Sequence, residues 1–234
     1  MASAFPRIHV IIPAFNEAES IQKVLADIPD GLAEEVIVAS NGSTDATEDN
    51  ARLAGATVVR EERKGYGYAC LKGMAHIAAK PQDEHPDIVV FLDGDYSDYP
   101  EEMTDLIQPI VENGADMVIG SRALGDRESG AMQPQQIFGN WLATTLIRWL
   151  YKVEFTDLGP FRAIRYDKLL QIDMQDTTFG WTVEMQVKAA KLGLQSVEVP
   201  VNYRRRIGVS KVSGTIKGTI LAGYKILWTI FKLL

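Results

Sequence analysis

The chain has a single cysteine, Cys70, which excludes an intrachain disulfide framework and a cysteine-based zinc site, and fits a reducing compartment and a place in the core. No run reaches the roughly 18 uninterrupted apolar residues that a membrane-crossing helix needs. Residues 1–7 lack the basic segment and apolar stretch of a secretory signal. Basic residues are the minority, 24 against 31 acidic ones, and the net charge of -7 argues against a nucleic-acid binder that works by neutralising phosphates. Any anion this protein binds must be met locally.

What remains is an ordinary share of apolar and charged residues in 234, enough for one full α/β domain spanning 1–234. Short apolar, β-rich segments at residues 8–12, 35–39, 57–59 and 87–92 are followed by helical spacing at 17–28, 44–54, 66–80 and 101–113. Further strands are expected at 115–119, 161–164 and 196–203, and a helix at 182–192. Strands alternating with helices predict a mostly parallel sheet covered on both faces, because parallel pairing needs helical crossovers. Residues 120–134 are polar and read as a loop.

In open α/β sheets ligands sit beyond the carboxyl ends of the strands, so the residues just after each strand carry the chemistry. Here they are Pro13-Ala14-Phe15-Asn16-Glu17, then Ser40-Asn41-Gly42-Ser43-Thr44-Asp45, then Asp93-Gly94-Asp95. Two carboxylates one residue apart after a buried strand can share a hard cation, Mg²⁺ or Mn²⁺, that also needs phosphate oxygens. A sugar diphosphate supplies them, and the cation offsets the charge that grows on it as the glycosidic bond breaks. Ser43 and Asp45 read equally as a cap for the following helix, and Asn41 and Asp45 as contacts for a base or ribose. Lys64-Gly65-Tyr66-Gly67 precedes a helix, where glycines let backbone approach a ligand or serve as plain punctuation.

The order of these motifs resembles family 2 of the glycosyltransferases, in particular the dolichyl-phosphate mannose synthases and related polyprenyl-phosphate sugar synthases. The matching elements are residues 12–17, the turn at 42–45, Lys64-Gly65, Asp93-Gly94-Asp95, Gly120-Ser121-Arg122, Phe161-Arg162, and the stretch from Arg205 through Gly208 to Lys211. The resemblance implies a GT-A type nucleotide-binding fold and an inverting transfer. It also implies donor contacts from Pro13, Phe15, Glu17, Asn41, Ser43, Asp45, Lys64 and Gly65, with metal and donor held by Asp93 and Asp95. Arg122, Arg205 and Lys211 are implied to face the donor diphosphate or an acceptor phosphate, a task suited to guanidinium forks. The run Arg204-Arg205-Arg206 reads alternatively as a solvated basic edge.

Three departures bear on the detail. Ser40 and Asn41 stand where many relatives have paired aspartates, leaving the base, guanine or uracil, open. Ser97, beside Asp98, stands where the synthases carry a glutamine, and the segment 157–162 is one residue short. A hydroxyl acceptor needs a general base, for which Asp157 or Glu184 are the candidates, whereas a phosphate monoester, with a second pKa near ~6, arrives already anionic.

Residues 137–151 and 214–234 are unusually apolar. On a helix at 100° per residue the second places Lys217, Lys225 and Lys232 in one sector and apolar residues around most of the rest. Such helices suit the headgroup layer of a membrane, with Tyr224 and Trp228 at its boundary, or packing on the domain or in a homodimer. The expected enzyme is a hexosyltransferase peripheral to the cytoplasmic face of a membrane, using a GDP- or UDP-sugar and a lipid phosphate. The alternatives are a transferase to a glycan or small-molecule hydroxyl, and a nucleotide-sugar-binding module without turnover. A nucleotidyltransferase is disfavoured, since Pro13 to Glu17 occupies the place of its glycine-rich basic loop.

Overall fold

The computed structural model describes residues 5–208 and 216–234. Seven strands form one sheet: β1 (Ile8–Ala14), β2 (Glu35–Ser40), β3 (Thr57–Arg60), β4 (Ile88–Phe91), β5 (Met117–Ser121), β6 (Arg162–Arg165) and β7 (Ser196–Pro200). Their order across the sheet is β3-β2-β1-β4-β6-β5-β7. All pairings are parallel except those of β6, which runs antiparallel to both β4 and β5. The helices are α1 (Ile21–Ala26), α2 (Thr47–Leu53), α3 (Tyr66–Ala78), α4 (Met103–Asn113), α5 (Pro134–Tyr151), α6 (Tyr166–Ile172), α7 (Trp181–Lys191) and α8 (Ile216–Lys232).

The central strands are buried on both faces, which is why they read as continuous apolar runs rather than alternating ones. Alternate residues feed two cores. Ile11, Ile37, Val89 and Ile119 pack with α3, α5 and α7 on one face. Val10, Ile12, Val38, Val90 and Val118 pack with α1 and α4 on the other. The expected mostly parallel sheet with two helical layers is the observed one.

The differences have local causes. The helix expected over 17–28 begins only at Ile21, and the Glu17 and Ala18 N–H groups before it are held by Thr47 Oγ1 at 2.8 Å and Asp45 Oδ2 at 3.3 Å. The strand expected to reach 203 ends at Pro200, and Tyr203 makes only isolated bridges to Asp98 and Arg127. Helix α6 has no counterpart in the sequence reading. Residues 209–215, with Lys211 and the start of the expected helix 214–234, lie outside the described residues. Among the described residues no helix is long and apolar enough to cross a membrane.

Helices α5 and α8 pack on each other and α8 also on α7. One face of α8 is buried through Ile226, Thr229 and Ile230, and Tyr151 donates to the Ile230 carbonyl. The opposite stripe, Ile220, Leu221, Tyr224, Trp228 and Phe231, is exposed, as are Phe138, Trp141 and Trp149 of α5. Lys225 does not join that exposed stripe, because Asp176 Oδ2 holds its ammonium at 2.8 Å.

Candidate active site

The carboxyl ends of β1, β2, β4, β5 and β7 lie along one edge of the sheet, and the antiparallel β6 brings its amino end there too. The loops leaving this edge are sewn to one another. Asn16, held at φ 54°, donates its N–H to Ser43 Oγ at 3.1 Å and accepts from the Thr44 N–H at 2.8 Å. Asp45 accepts from the Thr47 N–H at 3.0 Å and from the Thr47 hydroxyl, bracing the turn that leads into α2. Ser43 and Asp45 are thus spent on the loop and do not line the cleft. Neither Ser43 nor Asp45 is the N-cap of α2, which is Ala46 and has no side-chain cap bond.

A cleft of about 400 Å³ opens between these loops, lined by Pro13, Phe15, Glu17, Lys64, Asp93 and Asp95 among others. Asn41 also borders it, but its side chain braces the next loop, donating to the Arg63 carbonyl at 2.6 Å and accepting from the Gly65 N–H at 2.7 Å. Gly65 sits at φ 151°, and a Cβ there would lie 2.2 Å from the Thr177 carbonyl oxygen. Its freedom therefore serves the approach of the 176–177 backbone. Lys64 places its ammonium 5.3 Å above the Phe15 ring.

Asp93 and Asp95 line the cleft. Burial, and then the charge of Asp95, push the Asp93 carboxyl well above the usual carboxylate range, while the Tyr66 hydroxyl at 3.0 Å works in the opposite direction. Asp95 accepts on Oδ1 from the Ser97 N–H at 2.9 Å and hydroxyl at 2.5 Å, and pairs through Oδ2 with Arg206 Nη1 at 3.0 Å. Two crowded carboxylates, one raised by burial, are relieved by a cation, and oxygen donors suit a hard one. Among the described residues no group of three or more His, Cys, Asp or Glu side chains is arranged to hold a metal.

A second arm of about 320 Å³ starts from the same two aspartates and passes Arg122 and Tyr203. It runs out between α5 and α8, past Gly139 on one helix and Gly223 on the other. A Cβ at either glycine would meet nothing within 4 Å. Arg122 stacks 5.0 Å over the Tyr203 ring and is locked to Asp157 through Nε at 2.7 Å, Nη2 at 2.8 Å and its own N–H at 2.8 Å.

Several expected site residues are placed elsewhere. Asp157 is 1% exposed and lines neither arm. Burial opposes its ionisation, but the Arg122 guanidinium outweighs it and holds the carboxyl below the usual range. Its charge is committed to Arg122. Glu184 is buried as well, accepting from the backbone N–H groups of Gln175 at 3.0 Å and Asp176 at 2.6 Å and pairing with Lys188 at 2.9 Å. It fastens the loop that packs on Gly65, and neither carboxylate stands in the cleft as a free base. Arg205 points out, donating to the Ser129 carbonyl at 2.7 Å, and its neighbour Arg206 enters the cleft instead.

Tyr66, Phe179 and Arg206 line the cleft as well, although the sequence motifs do not assign them there. Tyr66 follows Lys64-Gly65 directly, so its place after a strand-end motif was a usable signal. Arg206 was not separable from Arg205, because residues 204–206 are irregular and no strand alternation orders them. Their register comes from tertiary bonds: the Arg204 N–H to the Ser97 carbonyl and the Ile207 N–H to the Asp95 carbonyl, both 2.9 Å. Arg162 is a structural anchor of the same edge. It is fully buried, donates to the carbonyls of Leu158, Gly159 and Thr182, and is pulled down to about 10 by burial.

Residues 9–172 match the model described as Glycosyl transferase family 2. An uncharacterized glycosyltransferase of Mycobacterium tuberculosis is 34% identical over 223 residues, covering 92% of this chain and 94% of its own. An undecaprenyl-phosphate mannosyltransferase of Micrococcus luteus is 30% identical over 224 residues, covering 91% and 90%. Among solved structures, glucosyl-3-phosphoglycerate synthase from Mycobacterium tuberculosis, in complex with Mn²⁺, UDP and glucosyl-3-phosphoglycerate, superposes with a TM-score of 0.73. That match has 24% identity and covers 97% of this chain and 80% of the synthase. It is a likeness of fold.

Proposed function

This chain belongs to glycosyl transferase family 2, and on that premise we propose that it moves a hexose from a nucleotide sugar to a polyprenyl phosphate held at a membrane surface. Its fold is of the GT-A type, and its activity is that of a nucleotide-sugar-dependent glycosyltransferase. The observation that carries the proposal is the course of the second arm, which leads from Asp93 and Asp95 out between α5 and α8 to a face of exposed aromatic and aliphatic side chains. A chain of isoprene units fits an apolar groove kept open by two glycines. A phosphate at its inner end meets Arg122 and Arg206.

In this reading the first arm takes the donor, with the base side near Pro13, Phe15 and Lys64 and the diphosphate at the aspartates. Asp93 and Asp95 hold a divalent cation, Mg²⁺ or Mn²⁺, which when bound supplies positive charge against the leaving diphosphate. Lys64 and Arg206 add positive charge to the same side. The acceptor phosphate oxygen attacks the anomeric carbon as the bond to the donor's phosphate oxygen breaks, so the configuration inverts and a nucleoside diphosphate leaves. Among the described residues the carboxylates lining either arm are Glu17, Asp93 and Asp95, and Glu17 is paired with Arg206 at 3.0 Å. That favours an acceptor that arrives deprotonated, as a phosphate monoester with a second pKa near ~6 does, over a hydroxyl that needs a base.

The exposed stripes of α5 and α8 then lie in the headgroup layer, with Lys232 among the exposed positions at its edge. The test is a product assay. Labelled GDP- and UDP-hexoses are incubated with Mn²⁺ and vesicles carrying undecaprenyl phosphate, and an organic-extractable product labile to mild acid is expected from one of the donors. Label that stays aqueous with every donor contradicts the lipid acceptor. Gly223→Leu is expected to lower lipid product at least about tenfold, as the loss of near-attack placement does, with nucleotide binding intact. The helix itself should not suffer, since glycine costs a helix interior about 1 kcal/mol relative to alanine.

A further inference from the structure

One guanidinium links the first strand's loop to the acid pair. Arg206 reaches Glu17 Oε1 through Nη2 and Asp95 Oδ2 through Nη1, each at 3.0 Å. The other oxygen of Asp95 is already taken by the two donors of Ser97, at 2.9 and 2.5 Å. Oδ2 is therefore the face of Asp95 that a metal must use, and a positive side chain already stands on it. The backbone around it is fixed, because the Ile207 N–H donates to the Asp95 carbonyl at 2.9 Å, so the side chain and not the loop has to give way.

We propose that Arg206 is a resident counter-cation for Asp95 which a divalent metal displaces, and whose release turns its guanidinium toward the donor's diphosphate. Arg206 is then a positioning residue that couples metal capture to nucleotide capture. Without metal it balances Asp95 and Glu17. With metal on Asp95 the guanidinium loses one partner, and a diphosphate, which accepts its paired N–H groups in the same forked geometry as a carboxylate, takes that partner's place. Metal and diphosphate thereby favour each other's binding beyond their direct contact, and the coupling is reciprocal by linkage.

The inference rests on the reading that Asp93 and Asp95 hold the metal. It is tested by titrating Mn²⁺ into the full chain and following the loss of the free-ion electron paramagnetic resonance signal, with and without UDP or GDP. Arg206→Gln is expected to bind Mn²⁺ alone about tenfold tighter than the wild type, the order that removing a neighbouring unit charge contributes in a partly solvated site. The gain in nucleotide affinity brought by Mn²⁺ is expected to shrink in the same variant. An arginine that merely braced the loop would leave Mn²⁺ affinity unchanged or weaken it, and either result overturns the proposal. Arg206→Met gives the same readout if the glutamine variant fails to fold. Asp95→Ala separates the two levels: Mn²⁺ binding that survives it, or that is missing from the wild type, removes the metal reading and this inference with it. Loss in Asp95→Ala with no tightening in Arg206→Gln removes the inference alone.

Discussion

Asp95→Asn is expected to lower kcat/KM for sugar transfer by about a thousandfold, roughly 4 kcal/mol of transition-state stabilisation, while leaving the melting temperature within a few degrees of the wild type. Asparagine keeps the shape and can still accept the two Ser97 hydrogen bonds on Oδ1. It removes the charge on Oδ2. In the proposed reaction the departing diphosphate gains charge in the transition state, and a cation held by this oxygen would meet it. A chelator should reduce the wild type to a similar level and have little further effect on the variant. Activity that survives both the substitution and the chelator would mean that the acid pair serves the fold rather than the reaction.

The second large effect is on stability. Asp157→Ala is expected to lower the melting temperature by roughly 10 °C, because breaking a buried pair costs about 3–5 kcal/mol and a domain of this size loses about 2–4 °C per kcal/mol. The removed carboxylate accepts three hydrogen bonds from Arg122, whose side chain is 11% exposed, so the guanidinium is left buried with its partner gone. Replacing Arg122 by methionine in the same chain should recover part of the loss, and calorimetric melting of the double-mutant cycle measures how much. A general base at this position would behave in the opposite way, with kcat falling by orders of magnitude and the melting curve unmoved.

These two aspartate positions show why the site was only partly legible. The acid pair sits immediately after a buried strand, and in a parallel sheet that position alone points it at the ligand edge. Asp157 sits in a loop, and whether a loop carboxylate is a base or half of an ion pair depends on a partner 35 residues away. Glu184 is the same case, with its role decided by two backbone N–H groups it captures across a turn. Ser43 and Asp45 were correctly placed at the end of a strand, yet their side chains turn to Asn16 and Ala18 rather than to the cleft. Strand-end position gave the neighbourhood, and hydrogen bonding between loops gave the direction.

The fold followed a similar rule. The strands and most helices were readable because both cores demand unbroken apolar segments of the right length. The reversal of β6 was not, since residues 161–164 look the same in either direction and only the pairing with β4 and β5 sets it. Helix α6 is not legible because its apolar positions Tyr166, Leu169 and Ile172 follow directly on β6, with no turn between strand and helix.

The central claim is that a cation held by Asp93 and Asp95 holds the donor's diphosphate, and calorimetric titration of UDP and GDP into the protein tests it most directly. With Mn²⁺ present, one of the two is expected to bind at least about tenfold tighter than in chelator, and Asp93→Ala combined with Asp95→Ala is expected to erase the difference. Equal affinity with and without metal, or a metal effect that persists in the double variant, would contradict it.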